Sequence, residues 1–152
     1  MAIAAPIRDA SERRALLAGR GLVSTRALGL FVQSELAGRG DIHFAVRNIT
    51  NEISRWHSCG LSLEELRLLT ESPPDSGDPR FDALIEGIVA HKFHGEGYSA
   101  PDWCQNTKLE ETWAPFGDVI IDDDWYLMGV LLTPVELLDK RIVFNRSNLN
   151  RQ

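Results

Sequence analysis

The feature that most constrains the fold of this chain is a run of apolar residues with helical spacing between positions 41 and 60. These residues recur at intervals of three and four, which places them on one face of an α-helix. Asp41, directly before the run, is a favourable N-cap, and Cys59-Gly60 marks the expected end. The sequence therefore predicts an amphipathic helix whose apolar face packs in a helical core. That face consists of Ile42, Ala45, Val46, Ile49, Ile53 and Trp56.

Helix signals on either side of this run predict further helices. Residues 8–37 are typical of two helices separated by the turn GRGLVST, with Ser24 or Thr25 as the second N-cap. The capping-box pattern SLEE at 62–65 predicts a helix over about 63–71. The N-terminal half is therefore expected to be helical along most of its length.

A proline-rich break precedes the next predicted helix. The stretch ESPPDSGDP ends the preceding helix, and Asp78-Pro79 then places Asp at an N-cap and Pro at the first helical position. An apolar stripe follows, so this helix is expected to be buried among its neighbours. Its members are Phe81, Leu84, Ile85, Ile88, Val89 and Phe93.

Beyond Gly95 the helical periodicity is lost. Residues 96–125 contain several aromatic side chains, among them Trp103 and Trp113, together with Pro, Gly and acidic residues. A segment this rich in tryptophan is unlike a disordered one. We expect an ordered, irregular region with short helical turns near 101–105 and 108–113.

The last apolar block has its own local signals. A second capping-box pattern, TPVE at 133–136, predicts a helix over about 134–140. The extended segment RIVFN follows it. Since alternate residues of an extended segment point the same way, we expect Ile142 and Phe144 to face the core together.

The length of the chain, 152 residues, is that of one domain able to bury a core without metal or disulfide crosslinks. We expect a single domain over 1–152, with an N-terminal helical part over 1–72 and a C-terminal part over 78–152. The predicted fold is mainly α. It is a compact bundle of about five to six helices with an irregular, aromatic-rich C-terminal region and at most a short strand near 141–145.

Several features favour a cytoplasmic protein. The longest apolar runs fall far short of the roughly 20 residues of a membrane span, and the N-terminus lacks the basic and apolar regions of a secretory signal. Two cysteines, Cys59 and Cys104, have no close pairing motif and are expected to be reduced thiols. We therefore expect no membrane association.

The net charge of −6 is unevenly distributed. Residues 1–48 contain seven arginines against four acids, a net of +3, whereas residues 49–152 carry nine basic and eighteen acidic residues, a net of −9. Phosphate attraction supplies most non-specific affinity for nucleic acids, so this acidic body favours a basic protein partner over DNA or RNA.

Histidines and cysteines give one enzyme-like hypothesis, a metal-dependent hydrolase using His57, Cys59, His91 and Cys104. Zinc sites usually carry their ligands as C-x-x-C pairs or as histidines at i and i+4, and neither spacing occurs. A helical wheel places His91 at the edge of the apolar stripe and His94 almost opposite it, so we expect them not to converge. Nucleophile-elbow, H-E-x-x-H and Ser-x-x-Lys motifs are also absent from the sequence. We expect no enzyme activity, no metal and no cofactor.

The most acidic stretch is Asp122-Asp123-Asp124, which Trp125 and Tyr126 follow directly. Three consecutive carboxylates suit either a solvated acidic loop or a surface that docks a basic protein. A Mg²⁺ site is disfavoured, since there is no glycine-rich phosphate loop or paired base. If this stretch binds a partner, all five side chains are candidate contacts.

The N-terminal third also has the outline of a helix-turn-helix, a helix, a glycine-containing turn and a second helix opening at Ser24-Thr25. In a DNA-binding reading, Arg20 and Arg26 would contact the backbone or a groove. The second helix is apolar over most of its length, which is typical of ordinary helix packing. DNA binding is therefore an alternative to protein binding, and the less favoured one.

The C-terminal half, from about residue 74 to 152, resembles a group of small bacterial antitoxin-like proteins encoded beside nucleotidyltransferase-like toxins. The group has a G-D-x-R-[WF]-D-A-L helix start, a P-x-W turn, a later Trp-containing stretch and a C-terminal P-x-x-[LF]-x-x-[RK]-x-[IV]-x-[FI] pattern. The corresponding residues here are Gly77, Asp78, Arg80, Phe81, Asp82, Ala83, Leu84, Pro101, Trp103, Pro134, Leu137, Lys140, Ile142, Phe144 and Leu149. Where the group often carries an R-R-R-G block, this chain has only Lys140 and Arg141.

This resemblance implies a function in a bacterial toxin–antitoxin system. The expected role is that of a non-catalytic module which restrains a basic, nucleotidyltransferase-type or RNA-handling toxin encoded nearby. Its acidic, aromatic C-terminal half would make the contact.

Overall fold

The computed structural model of the protein describes residues 10–115 and 130–144, with backbone only at residues 10 and 57. Within these ranges the chain is predominantly helical, as predicted. The helices are α1 (Ala10–Gly19), α2 (Thr25–Ala37), α3 (Ile42–Ser58), α4 (Leu63–Leu69), α5 (Pro79–Gly95), a 3-10 helix (Asp102–Gln105) and α6 (Val135–Leu138). Strand-like pairing in the described ranges is a single parallel bridge between Trp113 and Ile142, in agreement with the expected short extended segment.

Local capping sets the starts of four helices where the sequence predicts them. The side chain of Ser24 accepts a hydrogen bond from the Ala27 amide, and Asp41 accepts one from Phe44. At α4 both capping-box hydrogen bonds form between Ser62 and Glu65. Each of these bonds satisfies an amide that the helix itself leaves unpaired, so the sequence alone fixes these starts. Asp78 caps α5 in the same way by accepting from the Arg80 amide.

The core lies between α3 and α5. The predicted stripe of α3 is buried except for Ile42, which is partly buried. Trp56 of this stripe donates its indole N–H to the Val23 carbonyl at 3.0 Å, which joins α3 to the start of α2. Helix α5 packs against α2, α3, the 3-10 helix and α6, and is buried along most of its length. This helix therefore connects the N-terminal helices to the C-terminal region.

Helix α6 sits in a notch on α5 that a glycine provides. A Cβ atom built at Gly87 would overlap the Leu137 side chain, so the two helices approach too closely for any other residue at this position. Leu137 is fully buried there. The missing side chain of Gly87 thus positions α6 on the face of α5.

Residues 108–113 do not form the predicted helical turn. Their amides bond instead to the C-terminal segment: Leu109 N–H to the Lys140 carbonyl at 3.3 Å, and Trp113 N–H to the Arg141 carbonyl at 2.9 Å. The Val143 amide donates back to the Trp113 carbonyl at 2.9 Å. These amides therefore donate to carbonyls distant in sequence and not to the carbonyls of a local helix. Ile142 and Phe144 are buried as expected.

Helix α6 is shorter than the predicted 134–140 and does not form the predicted capping box. Pro134 is its N-cap residue and provides no side-chain cap. The Thr133 hydroxyl instead accepts the Phe144 amide at 2.8 Å, and the Glu136 carboxylate turns toward α5. Tertiary partners have replaced the local ones for both side chains.

The end of α6 is a Schellman turn without glycine. The Arg141 amide donates to the Leu138 carbonyl and the Ile142 amide to the Leu137 carbonyl, both at 2.9 Å. Arg141 adopts a positive φ of 67°, a conformation in which glycine is usual. The turn directs the following residues back along Trp113.

Of the helices in the described ranges, none is long and apolar enough to cross a membrane.

Candidate functional site

The polar side chains with the most unusual surroundings lie where α5, the 3-10 helix and α6 meet. His91 Nδ1 is 3.1 Å from Glu136 Oε2, and His94 Nδ1 is 2.9 Å from Glu136 Oε1. The expectation that the two histidines do not converge is wrong. Residues three apart on a helix differ by only about 60° around its axis, so both rings reach one carboxylate on the facing helix.

The carboxyl group of Glu136 is held in its charged form. Burial alone would raise the pKa of Glu136, but its own backbone N–H and the hydrogen bonds and charge of His94 and His91 outweigh burial and lower that pKa. The Glu136 side chain is largely buried, while the two imidazoles remain partly exposed. We call this set, His91, His94 and Glu136, the histidine clamp.

A buried ion pair lies beside the histidine clamp. Lys140 Nζ is 2.8 Å from Glu86 Oε1 and 2.7 Å from the Thr107 carbonyl, and both charged residues are less than 10% exposed. The other oxygen of Glu86 accepts the Thr107 hydroxyl at 2.5 Å. Since each charge is paired and hydrogen-bonded, the cluster ties α5, the loop at 107 and the end of α6 together.

Cys104 completes this buried region without being reactive. Burial, and secondly the nearby negative charge of Glu86, raise the pKa of the Cys104 thiol to about 12. A thiol of this pKa is almost wholly protonated at neutral pH and is a poor nucleophile or metal ligand. The structure therefore gives Cys104 the environment of a packed core residue.

An open cavity of about 720 Å³ borders both clusters. Its lining includes Tyr98, Asp102 and Lys108, together with His94 and Glu136 of the histidine clamp. Within residues 10–115 and 130–144, no three or more His, Cys, Asp or Glu side chains are grouped as metal ligands. The proposed metal residues are also dispersed: Cys104 is buried beside Glu86, and Cys59 is the C-cap of α3. The side chain of His57 lies outside the described atoms.

The predicted partner-binding residues Asp122, Asp123, Asp124, Trp125 and Tyr126 lie outside the described residues. The structure does describe both ends of the segment that contains them. On the entry side Trp113 pairs with residues 141–143, and on the exit side Thr133 accepts the Phe144 amide. Both ends are therefore fixed to one extended segment of the core.

Two exposed apolar side chains lie just after this segment. Leu131 is 72% exposed and Val135 is 62% exposed, the highest values among the large exposed hydrophobic residues of the described ranges. Between them Thr133 and Pro134 are buried. The backbone is therefore anchored while the two aliphatic side chains face solvent.

The arginines considered for DNA binding lie beside acidic residues. Arg20 Nη1 is 3.3 Å from Glu65 Oε2, and Arg26 is exposed in a concavity that also contains Glu71. Arg13 pairs with Glu64 in the same manner at 2.7 Å. Two carboxylates of α4 thus pair with Arg13 and Arg20, and a phosphate approaching Arg20 would meet the Glu65 carboxylate.

The sequence reasoning missed four residues of these clusters: Glu86, Thr107, Glu136 and Lys140. One signal for Glu86 is present in the sequence, since it is a single charged residue inside the apolar stretch ALIEGIVA of α5. A buried charge requires a partner of opposite sign, but nothing local identifies that partner as Lys140, which follows 54 residues later.

Comparison of this chain with protein-family models, with curated proteins and with solved structures gives no match in any of the three.

Proposed function

We propose that the protein is a non-catalytic, antitoxin-like binding module that restrains a nucleotidyltransferase-type or RNA-handling toxin encoded nearby. The contact is made by the acidic, aromatic segment of the C-terminal half. The observation that carries this proposal is the pair of exposed aliphatic side chains, Leu131 and Val135, directly after that segment. The likeness in residue pattern to bacterial antitoxin-like proteins supplies the partner class.

The exposed pair and the acidic, aromatic segment before it together have the composition of an interface. Protein interfaces combine an apolar and aromatic centre, often containing Trp and Tyr, with a polar rim. Here Leu131 and Val135 are close in sequence to Trp125, Tyr126 and the three aspartates. Such a combination suits a partner with apolar contacts surrounded by basic residues.

The fixed ends of the segment support the same reading. The hydrogen bonds of Trp113 and Thr133 fix where the chain leaves and re-enters the core on either side of the segment. The anchoring bonds belong to the buried core around Ile142 and Phe144. The segment is therefore attached to a rigid support.

Charge indicates the sign of the partner. Residues 49–152 have eighteen acidic residues against nine basic ones. Glu64 and Glu65 of this part face Arg13 and Arg20, whereas Asp102, Glu110 and Glu111 are exposed. An acidic surface of this kind accelerates association with a basic protein and disfavours acidic ones.

Co-purification with the neighbouring gene product tests the proposal. The chain and the product of the adjacent gene are co-expressed with a tag on one of them, and growth is followed with and without the chain. We expect a complex that survives moderate salt and relief of any growth inhibition. If no complex survives moderate salt and growth inhibition is not relieved, the proposal is overturned.

Matched variants locate the interface. Leu131→Asp together with Val135→Asp, and separately Asn at positions 122, 123 and 124, are each expected to weaken binding at least about tenfold. Leu30→Asp on α2, where Leu30 is 46% exposed, controls for adding a charge at an exposed apolar site. Neutralising Asp102, Glu110 and Glu111 controls for net charge. Equal weakening by variants and controls would place the interface elsewhere.

A further inference from the structure

We propose that the histidine clamp is a proton-sensitive latch that sets how firmly α6 is held on α5. Two imidazoles share the two oxygens of one carboxylate at 3.1 and 2.9 Å, across 45 and 42 residues of sequence. An imidazole in this position donates to the carboxylate in either protonation state. Only the protonated ring adds a positive charge and makes the hydrogen bond charge-assisted.

The position of the latch gives it a structural consequence. Glu136 is the second residue of α6, and that helix has only four residues, Val135–Leu138. So short a helix has almost no stability of its own and depends on its tertiary contacts. The other contacts are Leu137 in the Gly87 notch and the Lys140–Glu86 pair just after the helix. Of the three, only the histidine clamp contains groups that ordinarily titrate between about pH 5 and 8.

Other charges near the latch do not share this behaviour. On α5 Lys92 pairs with Glu96 at 3.2 Å, and Glu86 pairs with Lys140. Carboxylates and lysines ordinarily titrate outside the imidazole range, and the pKa of the Cys104 thiol is raised to about 12, so such groups offset the latch by a constant amount. The charged and titratable groups that line the cavity beside it are Tyr98, Asp102, Cys104, Lys108, Asp139 and Lys140, and the Lys92–Glu96 and Glu86–Lys140 pairs involve further residues of α5 and the turn after it.

The direction of the effect follows from the charges. A protonated ring attracts the Glu136 carboxylate more strongly than a neutral ring does, so α6 is held most firmly at the acid end of the range in which imidazoles ordinarily titrate and least firmly at its alkaline end. Glu136 remains ionised throughout, because its pKa is lowered from an already acidic value.

Amide hydrogen exchange measures the latch directly. The amides of Leu138 and Asp139 bond to the Pro134 and Val135 carbonyls within α6, so they exchange when α6 opens. After correction for intrinsic rates, we expect their protection to fall about threefold to tenfold between about pH 5.5 and pH 8. Amides in the middle of α3, such as Ile49 and Ile53, serve as the internal reference. A fall shared equally by the α3 amides would overturn the proposal.

Non-titrating variants provide the second test. Glutamine keeps an N–H donor but cannot be protonated, so the double variant H91Q/H94Q is expected to lose the pH dependence of the α6 amides. His43→Gln, on the exposed side of α3, is the matched control and should keep it. An unchanged pH dependence in the double variant would overturn the latch. Both histidines are partly exposed, so the substitutions leave the core intact, and the single variants give intermediate profiles.

A bound metal would give the opposite sign. Metal binding requires deprotonated ligands and strengthens as the pH rises. The exchange is therefore measured with and without a chelator. Protection that rises with pH and disappears with chelator would replace the latch with a metal site. The measurement uses the chain alone, so it succeeds or fails independently of the proposed toxin partner.

Discussion

The ion pairs between residues distant in sequence differ between the two parts of the molecule on either side of the proline-rich break. In the N-terminal part the ion pairs between α1 and α4 are exposed, as in Arg13–Glu64, where the side chains are 38% and 73% exposed. In the C-terminal part the Lys140–Glu86 pair is 9% and 6% exposed. Exposed pairs contribute little to stability, whereas a buried pair cannot lose one member without leaving a charge in the core. The long-range pairs of the first part therefore lie at the surface, whereas the Lys140–Glu86 pair of the second part holds buried elements together.

The largest expected difference comes from breaking one pair in each part. Lys140→Met leaves Glu86 without its cation, and we expect the free energy of unfolding to fall by about 3–5 kcal/mol. Arg13→Met, which removes a charge from an exposed pair, should cost less than about 1 kcal/mol. Urea denaturation compares the two. Adding Glu86→Gln to Lys140→Met should recover part of the loss. Equal costs for the two single variants would contradict the contrast.

The next effect concerns the packing of α6 on α5. A methyl group at Gly87 overlaps Leu137, so Gly87→Ala is expected to destabilise the protein by about 1–3 kcal/mol. Gly95→Ala, at the end of the same helix, meets no atom within 4 Å and should be neutral or stabilising by up to about 1 kcal/mol. Thermal unfolding of both variants measures the difference. A neutral Gly87→Ala would mean that α6 is not seated in the notch.

A smaller effect is expected at the turn after α6. Arg141→Gly and Arg141→Ala both remove the side chain and its contact with the Glu110 carbonyl, so they differ mainly in backbone preference. Because φ is 67° there, the glycine variant should be about 1 kcal/mol more stable than the alanine variant. Denaturation midpoints of the pair provide the measurement. The reverse order would exclude the left-handed turn.

The smallest effect is the acid dependence of stability. Burial raises the pKa of Glu136, but a hydrogen bond from its own backbone and the contacts with His94 and His91 outweigh burial and lower it. The pKa of Glu65 is lowered chiefly by the hydrogen bond from the Ser62 backbone. A lowered carboxyl pKa contributes stability above the unfolded value, which is lost as pH falls through the folded value. The free energy of unfolding, measured between about pH 3 and pH 7, should therefore vary less with pH in Glu136→Gln and in Glu65→Gln than in the unaltered protein. Removing His91 and His94 should reduce the effect at Glu136 and leave the effect at Glu65 unchanged.

The difference between local and long-range partners explains how much of the fold the sequence predicts. Helices α1 to α5 follow from apolar periodicity and from caps whose partners lie two or three residues away, as at Asp41 and Ser62. These interactions form within a single turn, so local reasoning is sufficient. The mainly helical architecture and the burial of Ile142 and Phe144 were accessible for the same reason.

The errors lie where side chains or amides have distant partners. Thr133 and Glu136 have capping-box spacing but bond to Phe144 and the two histidines, and the amides of 108–113 bond to the carbonyls of 140 and 141. Nothing in a local window identifies these partners. The histidine clamp was missed for a simpler reason, because the separation of His91 and His94 around the helix was overestimated. The acidic segment remains a prediction from composition and resemblance.

The bridge between Trp113 and Ile142 and the hydrogen bond between Thr133 and Phe144 have a consequence for how the sequence of such a protein can evolve. Trp113 and Thr133 are bonded to adjacent residues of one segment, Val143 and Phe144, so the core sets the separation of these two anchors. A chain that keeps both anchors presents whatever sequence lies between them at the same place on the helical scaffold. Related chains can therefore exchange the acidic segment for another partner-binding sequence while the site of contact stays constant.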